Sequence, residues 1–335
     1  MTSRRATITS VGRFVPEKRL TNFDLERMVD TSDQWIRERT GIRERHIADA
    51  GMSTSDLATA AAREALARRG LAPDDIPLII VGTVTPDMMF PATACLVQQK
   101  LGASHAWGFD LSAACCGFVY SLTAATQLVA GGAHDRALVI GADVMSRIID
   151  YKDLATCVIF GDGAGAVLIE ATEDDTVGLL DFYHRVDGSG GQYLFMPGGG
   201  SLHPATQATV AQRMHYVHQD GRQVFRYAVR QSAEAALELL SRNDLEPSDI
   251  SLFVAHQANA RILDATAHRL GLPPHKVIRN IDRFGNTTAA TIPLALWDAC
   301  EEGRLKEGDL VLFCSVGAGF TVGACLMRWS GLRSS

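Results

Sequence analysis

The chain has 335 residues, of which 47% are hydrophobic and 21% charged, and it carries a net charge of −6. That length holds one large domain or two moderate ones, and the composition is that of a chain that folds on its own. The acidic balance argues against a general nucleic-acid binder, and the seven cysteines form no CxxC pair and no zinc spacing, so no metal is expected and a reducing, cytoplasmic compartment is.

The first residues lack the apolar core of a signal peptide. Thr31 to Gln34 has the spacing of a capping box and Gly41 fits a helix stop, so the short helix between them presents Trp35 and Arg39. An alanine-rich amphipathic helix is expected over residues 57–68, then a Leu-x-Pro-x-Asp-Ile turn from Leu71 to Ile76, then a buried strand over 78–81. Residues 106–111 read as a strand, and 119–130 as a helix closed by Gly131-Gly132. Between them, Ala114-Cys115-Cys116-Gly117-Phe118 puts a thiol on the first helical turn, where unpaired N–H groups and the helix dipole favour a thiolate. Either Cys115 or Cys116 fits a nucleophile, and an inert core residue is the alternative for both. Residues 111–130 are long enough to span a bilayer, but their Ser, Thr and Ala content and Gln127 make them a helix inside a large core, with no membrane role. Gly161-Asp162-Gly163-Ala164-Gly165 has glycine at alternate positions, which predicts a turn entering a strand with close backbone packing rather than a nucleotide fingerprint.

The second half repeats the first. Leu245 opens the same Leu-x-Pro-x-Asp-Ile turn 174 positions after Leu71, again behind an alanine-rich helix (228–240) and before a buried strand (252–255). Both halves close on a glycine-rich apolar stretch, 160–169 and 316–326. The repeat predicts two related α/β halves, 1–175 and 176–335. His256 follows the second buried strand where Gly82 follows the first, at a place where α/β folds put functional groups. A helix over 259–270 turns Leu263, Thr266, Ala267 and Leu270 inward; Arg261, His268 and Arg269 fall on the other side, with Asp264 among them. That face is either a docking patch for an acidic partner or a solvated mixed surface. A strand-like stretch over 276–281 leads to Gly285-Asn286-Thr287-Thr288. Cys, His and Asn far apart in sequence can converge, as nucleophilic catalysis requires. Gly317-Ala318-Gly319 is either a structural turn or a place where a backbone N–H meets a reacting carbonyl.

Asp110-Leu111-Ser112-Ala113-Ala114-Cys115-Cys116-Gly117-Phe118, His256-Gln257-Ala258-Asn259 and Gly285-Asn286-Thr287-Thr288-Ala289-Ala290 resemble the three active-site motifs of the 3-oxoacyl-[acyl-carrier-protein] synthase III family. Thr31 to Ile36, Arg39 to Arg45, Phe160 to Ala166 and Gly319-Phe320-Thr321 extend the resemblance over about residues 7–327. It implies a thiolase-like α/β fold, two duplicated halves in five αβαβα layers, a homodimer and no cofactor. It implies the priming condensation of type II fatty-acid synthesis, with acyl-coenzyme A and malonyl-acyl carrier protein as substrates. Carried over residue by residue, Cys115 is the nucleophile and Cys116 a packed residue. His256 Nε2 and Asn286 Nδ2 donate to the enolate oxygen, and the N–H groups of Cys115 and Ala318 hold the oxyanion. Thr31, Trp35, Arg39 and Thr40 lie in the coenzyme A segment, with Trp35 against the adenine and Arg39 near phosphate, and Phe90 reaches the partner's acyl pocket. Arg261, His268 and Arg269 would then dock the carrier protein.

Three positions depart from the family pattern: Leu154 stands where many members have Arg, Val316 where many have an aromatic residue, and Val322 where many have Trp. A specialised relative with other acyl groups, in a secondary pathway, is therefore an alternative to acetyl priming. A Cys-His-Asn thioester hydrolase or protease and an inactive partner subunit are the remaining alternatives, although inactive subunits typically lose the nucleophile.

Overall fold

The computed structural model describes residues 4–332. The first repeat copy forms a five-stranded sheet from β1 (Arg5–Phe14), β2 (Leu78–Gly82), β3 (Trp107–Leu111), β4 (Arg136–Val144) and β5 (Asp162–Thr172), in the order β1-β5-β4-β2-β3. β2 runs parallel to β3 and β4, and β5 antiparallel to β1 and β4. The second copy forms a four-stranded sheet from β6 (Gly178–Val186), β7 (Leu252–Ala255), β8 (Leu310–Gly317) and β9 (Thr321–Arg328), in the order β7-β8-β9-β6. β7 is parallel to β8, and β9 is antiparallel to both β8 and β6. The pairing senses therefore repeat, with β6, β7, β8 and β9 standing where β1, β2, β4 and β5 stand. The repeated turns are both 3-10 turns, Pro73–Asp75 and Pro247–Asp249, each with proline at its start. Asp75 and Asp249 each take the backbone N–H three residues back, at 2.8 Å, which is why the motif bends the chain into β2 and β7 alike.

The expected strand over 276–281 is a correction. It contributes one parallel bridge, Val277 with Phe253, and gives way to a short helix, Ile281–Phe284. The Gln257 side chain donates to the Ile278 carbonyl and accepts from the Asn280 N–H, and Arg304 donates to the Val277 carbonyl. Groups that would extend a ladder are already satisfied, so the second sheet stops one strand short.

The longer helices are α1 (Asp33–Thr40), α2 (Thr54–Arg69), α3 (Thr93–Leu101), α4 (Gly117–Ala130), α5 (Gly221–Arg242), α6 (Ala260–Arg269) and α7 (Thr291–Glu301). α2 and α3 cover the outer face of the first sheet, α4 and α7 lie between the sheets, and α5 and α6 cover the second. This is the five-layer thiolase-like architecture. Phe118, Val119, Leu122 and Val129 of α4 pack against Ile8, Ile80 and Val139 of one sheet and Val311, Phe313 and Met327 of the other. Each such side chain contributes roughly 1.5–3 kcal/mol by burial. A helix sandwiched this way buries most of its circumference, and the hydroxyls of its buried Thr123 and Thr126 donate to the Val119 and Leu122 carbonyls one turn back. Among the described residues no helix is long and apolar enough to cross a membrane. At its start α4 meets the end of β2 glycine against glycine: a Cβ on Gly82 would lie 2.6 Å from the Gly117 carbonyl carbon. The glycines at 163 and 165 lie inside β5 rather than in a turn before it. The close packing expected of them is present, since a Cβ on Gly165 would lie 2.6 Å from the Pro293 ring.

Candidate active site

Cys115 sits in a 3-10 turn, Ala114–Cys116, between β3 and α4. Ala114 adopts φ 49°, a left-handed conformation unfavourable for a non-glycine residue. The β8–β9 end holds the turn: Thr321 Oγ1 donates to the Ala113 carbonyl at 2.9 Å and Ser315 Oγ to the Cys115 carbonyl at 2.8 Å. Cys115 lines a cavity of about 150 Å³ with Val84, Met145, Ile148, Phe160, Leu194 and Thr288 among its walls. Cys116 instead donates its S–H to the Ser315 carbonyl at 3.3 Å. One thiol faces space and the other is packed.

The expected thiolate is a second correction. Burial pushes the Cys115 thiol far above its ordinary range, and Cys116 and Asp143 push it further. In an apolar cavity, desolvation of the anion outweighs the partial charge of a helix end. The resting group is a thiol, which needs an acceptor for its proton when the sulfur attacks.

His256 extends β7 by one bond, its N–H donating to the Cys314 carbonyl at 2.8 Å. Its Nδ1 lies 2.6 Å from Thr291 Oγ1, and its Nε2 is buried with no partner among the described residues. Burial lowers the imidazole to about 3, so the ring is neutral at working pH. Asn286 is bridged to Phe160 by two backbone bonds, Asn286 N–H to the Ile159 carbonyl at 2.9 Å and Gly161 N–H to the Asn286 carbonyl at 3.0 Å. Its Oδ1 accepts the Thr288 N–H at 2.9 Å, which sets the amide so that Nδ2 is the available donor. Among the described residues no hydrogen bond joins Cys115 to His256 or Asn286 directly. His256 also lines a separate cavity of about 20 Å³ with Ser315 and Val316. The turn at Thr288 (φ 54°) links the three indirectly: it lines the Cys115 cavity, its N–H orients Asn286, and its carbonyl accepts at 3.1 Å from Thr291, the residue beside His256 Nδ1.

Sequence reasoning missed Asp143 and Thr291. Asp143, at the end of β4, is fully buried and accepts from Thr83, from the N–H and hydroxyl groups of Thr85, from the Val84 N–H and from the Ala289 N–H. It ties the end of β2 to the turn beside Asn286. Burial raises it to about 6 against the pull of those donors. An acid near the end of a strand that is apolar from Ala137 to Ala142 is the signal that points to it.

Ala318 lines the Cys115 cavity. At α1 the cap is Ser32, whose Oγ accepts the Trp35 N–H at 3.1 Å; Thr31 is not the cap, and its hydroxyl is buried with no partner among the described residues. Ser32 takes the role because it holds the extended backbone, φ −143° and ψ 154°, directly before the helix. Gly41 closes α1 at φ 80°, as expected. Trp35 is exposed, with the Arg39 guanidinium 5.8 Å from its ring centre. The Arg39 carbonyl accepts from Asn259 at 3.0 Å, which fastens α1 to the start of α6. Thr40 is buried and spends its hydroxyl on the Ile36 carbonyl and the Ile42 N–H, so it has an internal role. Phe90 is 84% exposed beside exposed Met88 and Met89. Arg261, His268 and Arg269 are exposed on α6, opposite buried Leu263, Thr266 and Ala267, and Asp264 pairs with Arg279 instead of with them. Leu154 begins a short helix and packs on the apolar cluster holding Ile36; Val316 and Val322 are buried. Among the described residues no group of three or more His, Cys, Asp or Glu is placed to hold a metal ion.

Twin sheets enclosing a buried thiol that faces an apolar cavity are the build of a thiolase-like acyltransferase. Residues 109–188 match the model of the family 3-oxoacyl-[acyl-carrier-protein] synthase III, and residues 240–329 match the model of its C-terminal region. The beta-ketoacyl-[acyl-carrier-protein] synthase III of Koribacter versatilis is 59% identical over 332 residues, which cover 98% of this chain and all of that one. Crystal structures of 3-oxoacyl-[acyl-carrier-protein] synthase III superpose with TM-scores of 0.89 (Aquifex aeolicus, 43% identity, 97% of this chain and 100% of that one) and 0.91 (Pseudomonas aeruginosa, 40% identity, 98% and 99%). The chain belongs to the 3-oxoacyl-[acyl-carrier-protein] synthase III family.

Proposed function

We infer that the protein condenses an acyl thioester, carried by coenzyme A, with malonyl-acyl carrier protein, releasing CO2 and starting type II fatty-acid synthesis. The observation that carries the site reading is the division of labour between neighbouring thiols, Cys115 facing a cavity and Cys116 bonded into the core. Cys115 sulfur attacks the acyl thioester, and coenzyme A leaves as its thiol. The N–H groups of Cys115 and Ala318 receive the oxyanion; one such donor supplies roughly 3 kcal/mol. The malonyl group then loses CO2, and its electron pair forms an enolate whose oxygen accepts from Asn286 Nδ2 and His256 Nε2. Asn286 cannot ionise, so it presents a fixed dipole at any pH. The enolate carbon attacks the acyl carbonyl and Cys115 leaves.

Trp35 and Arg39 form the coenzyme A contact, supported by their exposure on one helix. The carrier protein docks on Arg261, His268 and Arg269, whose charge Asp264 does not offset because it is paired elsewhere. Exposed Met88, Met89 and Phe90 support a homodimer closed over the acyl cavity. Residues 1–175 and 176–335 are the two halves, supported by the matched sheets. No resident cofactor enters these steps, and the compartment is the cytoplasm. A specialised acyl preference is the second reading, favoured by half-buried Leu154 packing against an apolar cluster where the family's Arg would meet the nucleotide. Incubation with acyl-coenzyme A and malonyl-acyl carrier protein tests both: 3-oxoacyl product with CO2 is expected, and free acid alone refutes the condensation. A panel of acyl thioesters reads the preference. One acyl adduct by intact mass, lost in Cys115→Ala and kept in Cys116→Ala, tests the nucleophile.

A further inference from the structure

We propose that Thr291 is a positioning residue: its hydroxyl holds the proton of His256 on Nδ1, so that Nε2 is the one ring atom that gains and loses a proton during turnover. The proposal rests on the condensing reaction above. Among the described residues Thr291 Oγ1 is the imidazole's one hydrogen-bond partner, 2.6 Å from Nδ1. The same oxygen lies 3.1 Å from the Thr288 carbonyl, to which it donates. A hydroxyl has a single proton. With that proton spent on Thr288, the oxygen can only accept at the imidazole, so Nδ1 carries the ring hydrogen and Nε2 keeps its lone pair. Nε2 is buried and unpartnered, as an atom awaiting a partner from substrate or thiol would be. Burial alone shifts the ring, with no charged neighbour contributing.

The sequence reading expected Nε2 as a donor; in the resting enzyme it is an acceptor. That fits the loading step, where Cys115 begins as a thiol. As sulfur bonds to the acyl carbon, Nε2 takes the thiol proton and returns it to the departing coenzyme A thiolate, leaving the ring neutral. In condensation the carboxylate of the malonyl group brings a negative charge, and a proton from solvent enters with it at Nε2. That N–H donates to the enolate oxygen as CO2 leaves. When the carbon–carbon bond forms and the carbon–sulfur bond breaks, the same proton moves to the Cys115 thiolate. One proton is consumed per turnover, and Nε2 is where it enters.

Imidazole 15N chemical shifts of uniformly labelled protein test this, with His256 assigned by comparison with His256→Gln. The free wild-type enzyme is expected to show a neutral ring protonated on Nδ1. Thr291→Val is expected to show a changed or mixed tautomer and a loading rate, read as acyl-adduct formation by rapid-quench mass spectrometry, lower by about 100-fold, the scale of a general base. Thr291→Ser restores both. A free enzyme protonated on Nε2, or a Thr291→Val enzyme with wild-type tautomer and wild-type loading, overturns the proposal. The wild-type shift alone decides it if Thr291→Val does not fold. If the wild type forms no 3-oxoacyl product, the condensation reading fails, a result separate from the tautomer measurement.

Discussion

The neutral His256 makes the fold acid-sensitive by a calculable amount. The ring is lowered from its ordinary 6.5 to about 3 by burial, whereas an unfolded chain protonates it near 6.5. A base with a depressed native pKa contributes its full stability above 6.5 and loses it as the pH falls toward 3. At pH 5, 1.5 units below the unfolded value, the loss is about 2 kcal/mol at 1.36 kcal/mol per unit. His256→Gln removes the titrating group while keeping a polar side chain of similar reach. Urea unfolding of both proteins at pH 7.5 and pH 5.0 isolates the effect, because the other histidines are common to both. The wild type should lose about 2 kcal/mol more than the variant over that interval. Equal losses would refute a buried, neutral imidazole. The same reasoning predicts that His256 contributes no limb near pH 6.5 to kcat/KM for acyl loading.

Gly317→Ala should cripple loading, because the new Cβ would lie 2.8 Å from the Cys115 nitrogen and 3.1 Å from the Ala113 carbonyl, both backbone atoms. A displaced oxyanion donor costs about 100-fold or more in rate, read as acyl-adduct formation; an unchanged rate would remove the Cys115 N–H from the proposed mechanism. Arg45 is fully buried and donates to the carbonyls of Leu20 and Val158 and to Asn22 Oδ1, with burial lowering it to about 10. Arg45→Leu strands three acceptors and should destabilise the protein by about 3 kcal/mol in denaturant unfolding, where a change below about 0.5 kcal/mol would show that they find other partners. Alkylation of Cys115 by iodoacetamide, followed by peptide mass spectrometry, should be slow at pH 7.5 and still rising at pH 9. A plateau below pH 8 would mean that the resting group is a thiolate.

The sequence alone determined the features set by near neighbours. The Pro-x-Asp-Ile turns were readable because the aspartate that closes each one is three residues from the N–H it takes. The buried strands β2 and β7 were readable as short apolar runs after those turns, and the stop of α1 because Gly41 must adopt a positive φ. The resemblance added the expectation that Cys115 is the nucleophile and that His256 and Asn286 are its polar companions.

Tertiary structure decided what depends on competition between distant groups. Residues 276–281 have strand character, yet Gln257 and Arg304 occupy the groups a ladder would use. Cys115 and Cys116 are adjacent and alike in sequence, and only the β8–β9 end separates them, by bonding one thiol and leaving the other at a cavity. The uncharged states of Cys115 and His256 follow from burial, which no local pattern encodes. Thr291 is one threonine among many until the fold sets its hydroxyl between an imidazole and a carbonyl. Local patterns specify elements because their partners lie a few residues away, whereas protonation states are set by everything that excludes water from the site.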